Sequence, residues 1–342
     1  MKLHVVGAGA IGGIVAAHLV RAGHQVTVID ANADHVEELR ASGLVVSGAT
    51  EIRVPVPALL PDEVHEPLGT VFLAVKARHT DDAMQTIAPL LRPDGYVVSL
   101  QNGLEEERIA TSVGADRVVG ALLTFGGFYE APGHVRYAGT GSFLLGEISG
   151  EQSRRVDGLS AMFSRDFHPT EVTDNILGAL WSKAALGSAY FATALVDEDV
   201  PVIFGWPTYR PVFERLVREA VTVARAEGID CLPLDDFDPN AFADEPRDDA
   251  RQEASWRAQA AYWHSHGQGR TGVWRDLAIH HRPTEVDWIV APIVERAQRH
   301  GFELPVITTL VDLVHQAEAG RVRAGTDWLD DLLEVATTPP QR

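Results

Sequence analysis

The chain has 342 residues, is 45% hydrophobic and carries a formal net charge of −19, so it is long enough for two sizeable cores. A surface this acidic repels nucleic-acid phosphates and anionic lipid headgroups, so neither is expected as a partner, and a pocket for an anionic substrate needs local positive charge. With Cys231 as the single cysteine, no apolar run of about 18 residues and no secretory pattern, the expectation is a cytoplasmic protein without disulfides or a thiolate metal cluster.

Residues 2–6 read as a short buried strand, followed by a glycine-rich turn and a helix over 11–22 that Gly23 closes. A second strand is expected over 25–29 and a second helix over 32–42, ended by Gly43. Apolar runs at 70–75, 95–100 and 118–123 read as further parallel strands separated by helices, the pattern of a doubly wound, Rossmann-type α/β sheet. Residues 135–137 and 142–146 are expected to form a late hairpin that extends this sheet. From Glu171 onward the apolar period is helical: 176–195, 210–227, 253–264, 284–300 and 305–319. Residues 232–251, rich in Asp and Pro, read as a long acidic loop.

Gly7-Ala8-Gly9-Ala10-Ile11-Gly12 fits G-x-G-x-x-G between a strand and a helix, the context that gives this pattern meaning. Gly7 permits the tight turn, Gly9 lets backbone approach a pyrophosphate, and Gly12 lets helix and strand pack closely. The helix start offers N–H groups and a positive dipole end to phosphates. Asp30 ends the second strand, where a carboxylate accepts both ribose hydroxyls of NAD and repels the 2′-phosphate of NADP. NAD(H) is therefore favoured, with NADP(H) as the alternative if Asp30 only caps the following helix.

Lysine occurs only at Lys2, Lys76 and Lys183, which leaves 26 arginines (29 minus 3). A buried lysine can lose its proton near neutral pH, which an arginine cannot. Lys183 lies among Leu180, Trp181, Ala184 and Leu186, so its helix is largely apolar. Burial there lowers its pKa toward the range a proton donor needs. The plainer alternative is a lysine snorkelling to water. Lys76 and Asn102 follow strand ends, at the rim where open α/β sheets bind ligands. Glu285 opens a late helix, as a cap or as the partner a buried lysine requires, with Asp276 and Asp287 as competitors for that role. Arg275 is the candidate cation for a substrate carboxylate, and Trp274 a candidate pocket wall. Among the 14 histidines, His264, His266, His280 and His281 lack the spacing of a metal motif, so no metal is expected.

With Gly7–Gly12, Val75-Lys76-Ala77, Gln101-Asn102-Gly103 and Thr284-Glu285-Val286-Asp287 in this order, and Lys183 on the first long helix of the second half, the chain resembles the ketopantoate reductase (2-dehydropantoate 2-reductase) family over nearly its whole length. The resemblance implies an NAD(P)-binding domain over 1–170 and a helical substrate-binding and dimerisation domain over 171–342. It also implies reduction of a 2-oxo acid to a 2-hydroxy acid by a cytoplasmic homodimer. In that family the lysine matching Lys183 protonates the carbonyl oxygen. The glutamate matching Glu285 holds substrate and helps place the lysine, and the residues matching Lys76 and Asn102 sit beside nicotinamide and substrate. The family's asparagines four and eight residues after the lysine are here Gly187 and Phe191, which suggests a larger or less polar substrate than ketopantoate. An imine- or opine-type reductase, or an NAD-sensing regulator without turnover, are the alternative readings.

Overall fold

Along the first strands, side chains alternate between two cores. In β1 (Lys2–Val6), Leu3 and Val5 enter one and Val6 the other; in β6 (Leu68–Leu73), Phe72 enters the first and Val71 and Leu73 the second. A strand buried on both faces needs cover on both, which is why helices flank this sheet. The computed structural model describes residues 2–139, 141–265, 269–320 and 325–338, and the chain divides into units Met1–Ile176 and Leu177–Arg342.

In the N-terminal unit, β1, β2 (Gln25–Ile29), β3 (Leu44–Gly48), β4 (Ile52–Val54), β5 (Ala58–Leu59), β6, β7 (Leu91–Ser99), β8 (Val118–Leu123), β9 (Gly127–Ala131), β10 (His134–Tyr137), β11 (Phe143–Glu147) and β12 (Glu171–Val172) form two sheets. The larger has the order β12-β11-β8-β7-β6-β1-β2-β5, parallel except where β11 runs against β8. Helices α1 (Ala10–Arg21) and α5 (Arg154–Asp166) supply Ile14, Val15, Leu159 and Phe163 to one core. Helices α3 (Thr80–Leu90) and α4 (Glu106–Val113) supply Met84, Ile87 and Ile109 to the other. The chain leaves β1 toward β2 on one side and later returns through β6 on the other, which makes the ends of β1 and β6 a switch point with a crevice outside it. This is a Rossmann-type arrangement.

The second, smaller sheet, β4-β3-β10-β9, corrects the sequence reading. Residues 135–137 and 142–146 do not form a hairpin. β10 pairs parallel with β3 and antiparallel with β9, while β11 joins β8 in the larger sheet. Between them the chain passes from one sheet to the other, so close to Phe125 that a Cβ on Gly141 would lie 2.3 Å from the Phe125 nitrogen.

The C-terminal unit is helical: α6 (Ile176–Thr193), α7 (Val200–Phe204), α8 (Arg210–Ala226), α9 (Asp249–Ser265), α10 (Gly272–Ala278), α11 (Val286–Ile289), α12 (Ala291–Arg299), α13 (Pro305–Glu318) and α14 (Asp327–Thr337). α8 packs against α12, α13 and α14. Its buried Glu219 accepts the Ile307 and Val306 N–H groups at 3.0 and 3.3 Å and so caps α13. The single helix expected over 284–300 is two, because Pro292 lies in the first turn of α12 and its ring cannot continue a preceding helix. The acidic stretch 232–251 is not a solvated loop. Phe237 and Phe242 are buried in it, 5.5 and 5.2 Å from the Trp256 ring. Among the described residues, no helix is long and apolar enough to cross a membrane.

Candidate active site

The glycine-rich turn is shaped by close contacts. Gly7 has φ +87°, and a Cβ on it would lie 2.6 Å from the Val75 nitrogen; one on Gly12 would lie 1.9 Å from the Gly7 carbonyl oxygen. A Cβ on Gly9 would meet nothing within 4 Å, so space is open above it. Gly9 caps α1 without a side chain, and the first turn, which includes Ala10 and Ile11, holds no acidic residue. The positive end of α1 is thus left for an anion, and these residues fit a dinucleotide pyrophosphate.

Asp30 is held beside this turn. Its carboxylate accepts the Ala8 N–H at 2.7 Å and the Asn32 N–H at 2.9 Å. The cap of α2 (Ala33–Ser42) is Asn32, whose side chain accepts from the His35 nitrogen at 3.2 Å, so Asp30 has no capping duty there. Arg40, on the same helix, donates to the Ala58 carbonyl at 2.9 Å and pairs with Glu63.

Lys76 and Asn102 are both exposed, just past β6 and β7. Buried Gln101 joins the two strand ends, its amide donating to the Val75 carbonyl at 3.0 Å and to Thr80 Oγ1 at 2.9 Å. The rim thus has a fixed spacing before any ligand arrives.

In the helical unit Lys183 is partly buried on α6, with Trp181, Ala184 and Ala185 buried around it. Burial pushes its ammonium down to about 8, against the opposing pull of the Asp235 and Glu285 carboxylates. Of the two competing acids, Asp276 pairs with Arg282 at 2.6 Å and Asp287 with His315 at 2.8 Å. Glu285 is half-buried at the start of α11 and forms no cap hydrogen bond. The preceding Thr284 is anchored by Glu318, which accepts its N–H and its hydroxyl, both at 2.7 Å.

Asp235 is the residue that sequence reasoning missed. It sits at the tip of a tight turn closed by two hydrogen bonds of 2.8 Å between Leu234 and Phe237. Asp235 and Asp236 both have positive φ, +47° and +62°, as a two-residue turn of this hand requires. Nothing in the acidic run marks one carboxylate over another; a Leu-Asp-Asp-Phe turn with apolar flanks was the available signal.

Gly187 lies one turn beyond Lys183, and a Cβ on it would find only Ile289 Cγ2, at 3.8 Å. Phe191 is buried, 2% exposed. Tyr190, at i+7 from Lys183, shares its face more closely than Phe191 and donates to Gln259. Trp274 has a buried indole N–H with no hydrogen-bond partner and the Arg270 guanidinium 4.7 Å over its ring. Arg275 is half-buried and donates to the Arg270 carbonyl at 3.3 Å. Thr271 caps α10 by accepting the Trp274 N–H at 3.0 Å. His264 bonds to the Ala260 carbonyl within α9, His281 to the Leu277 carbonyl of the preceding α10, and His266 lies outside the described residues.

The family description "Ketopantoate reductase PanE/ApbA" matches residues 3–150, and "Ketopantoate reductase PanE/ApbA C terminal" matches 175–318. A 2-dehydropantoate 2-reductase of Halobacterium salinarum is 32% identical over 93% of this chain and 99% of its own length. The chain belongs to the ketopantoate reductase family. It is thus an oxidoreductase by membership. A PanE/ApbA family ketopantoate reductase from Ralstonia eutropha superposes with a TM-score of 0.78 at 27% identity, covering 94% of this chain and 99% of the other. The same fold is seen in a D-mandelate dehydrogenase solved with NADH and anilino(oxo)acetate, with a TM-score of 0.81 at 24% identity over 94% and 99% of the two chains.

Proposed function

We propose that this member of the ketopantoate reductase family reduces the ketone of a 2-oxo acid to the 2-hydroxy acid, with Lys183 as general acid. The observation that carries the reading is an amine held near pH 8 by burial, beside two carboxylates, in a family of reductases. A bound dihydronicotinamide supplies the hydride that forms the new C–H bond at the carbonyl carbon. As the C=O double bond becomes a single bond, charge builds on oxygen, and the Lys183 ammonium neutralises it by giving up a proton. Glu285 and Asp235 keep that ammonium charged, and Glu285 also orients substrate. Arg275 and Trp274 are assigned to the substrate carboxylate and pocket wall, Lys76 and Asn102 to the nicotinamide side, and Gly7–Gly12 with Asp30 to the rest of the cofactor. The missing side chain at Gly187, where a Cβ would meet only Ile289 Cγ2 at 3.8 Å, and the apolar Phe191 favour a bulkier, less polar substituent than that of ketopantoate. NADH is favoured over NADPH because Asp30 faces the turn and Arg40 is engaged elsewhere. By family likeness the active form is a homodimer.

The test is consumption of NADH or NADPH with ketopantoate, pyruvate and a bulkier apolar 2-oxo acid, each with and without added amine. The expected result is highest kcat/KM for the bulky acid, independent of amine. Turnover only with amine present favours an imine reductase instead, and no turnover with any acid favours the sensor.

Asp235→Asn provides a check on the amine's surroundings. Removing one opposing charge lowers the Lys183 pKa further, so the alkaline fall in kcat/KM is expected to move down by roughly one pH unit. An unmoved limb would take Asp235 out of the site.

A further inference from the structure

We infer that His35, through its hold on the Ala8 carbonyl, is a positioning residue for dinucleotide binding. The inference rests on the dinucleotide reading of the Gly7–Gly12 turn. His35 is buried, 1% exposed, in the first turn of α2. Its Nδ1 accepts the Gly133 N–H at 2.9 Å, so the ring proton belongs on Nε2, which lies 3.0 Å from the Ala8 carbonyl and donates to it. The Tyr129 ring packs against the imidazole at 5.3 Å and 62°, and restrains its rotation.

Ala8 is therefore gripped from both sides: its N–H by Asp30 and its C=O by His35. In a trans peptide the carbonyl and the next N–H point in opposite directions. Pulling the Ala8 carbonyl onto His35 turns the Gly9 N–H the other way. Above Gly9 the space is open, with no atom within 4 Å of a Cβ position. The histidine thus aims a backbone donor at the place a pyrophosphate would occupy and removes the ordering cost from the binding step. Gly133 belongs to the β9–β10 turn with φ +71°, and Gly127 of the same hairpin leaves a Cβ position 2.7 Å from Ile14 Cδ1 on α1. His35 so ties the glycine-rich turn to the smaller sheet as well as to α2.

Three variants separate the two bonds. Glutamine can place an amide donor where Nε2 lies, while asparagine can place only an acceptor where Nδ1 lies. NADH titrations are expected to show His35→Phe and His35→Asn about tenfold weaker in Kd, the loss of one aligned hydrogen bond. His35→Gln is expected within about threefold of wild type. For all three, kcat at saturating NADH stays at the wild-type value while KM for NADH follows Kd. If His35→Phe fails to fold, the glutamine and asparagine pair decides alone. Equal affinity in wild type and His35→Phe, or equal weakening by glutamine and asparagine, overturns the role. Wild type that binds neither NADH nor NADPH sinks the dinucleotide reading itself.

Discussion

Replacing Lys183 with alanine is expected to lower kcat/KM for 2-oxo acid reduction by about a thousandfold, the usual worth of a positioned general acid. The same loss should appear in kcat, because the proton is transferred only as the carbonyl is reduced. Lys183→Arg is expected to restore charge but little rate, since a guanidinium does not release its proton. The wild-type pH profile supplies the sign. The amine is protonated below about 8 and becomes neutral above it, so reduction should hold on the acid side and fall as pH rises through that value. A Lys183→Ala enzyme with wild-type kcat, or a rate that climbs from neutral to alkaline pH, would remove the lysine from its role.

The second large effect is on cofactor choice. Wild type is expected to bind NADH at least tenfold more tightly than NADPH, and Asp30→Ala to lose about a hundredfold in NADH affinity while closing that gap. A carboxylate has about four lone-pair sites. The Ala8 and Asn32 N–H groups use two, which leaves acceptor capacity for the ribose hydroxyls. A 2′-phosphate would face that same negative charge. Arg40, the nearest arginine along α2, is turned onto the Ala58 carbonyl and Glu63 and gives no relief. Titration of wild type and variant with both nucleotides checks this; tighter NADPH binding by wild type reverses the reading.

The parts of this molecule legible from sequence were those with short-range rules. β1, the glycine-rich turn, α1, β2 and Asp30 follow one another within thirty residues, and each is specified by its neighbours. The smaller sheet was not legible. β4 is three residues long, and β10 lies on β3 in register His134↔Val45, a pairing across almost ninety residues that no local pattern announces. Residues 135–137 and 142–146 read as a hairpin, although the two strands belong to different sheets. On the helical side, Lys183 stood out by the scarcity of its type. Glu285 was one of three acidic candidates, favoured by the resemblance; in the structure its charge acts on the Lys183 amine, while Asp276 pairs with Arg282 and Asp287 with His315. Asp235 was hidden in an Asp-rich stretch that reads as solvated, because the buried Phe237 and Phe242 give no periodic signal.

The Leu234–Phe237 turn has an evolutionary consequence. Two successive aspartates sit in a backbone region that glycine and asparagine occupy more readily, at a cost of about 1 kcal/mol each. Of the two, Asp235 is the one whose charge acts on the Lys183 amine. Relatives adapted to heat should therefore shed the acid at 236 in favour of Gly or Asn long before they give it up at 235. The stretch carries a trade of robustness for proton management in two adjacent positions, one free to drift and one not.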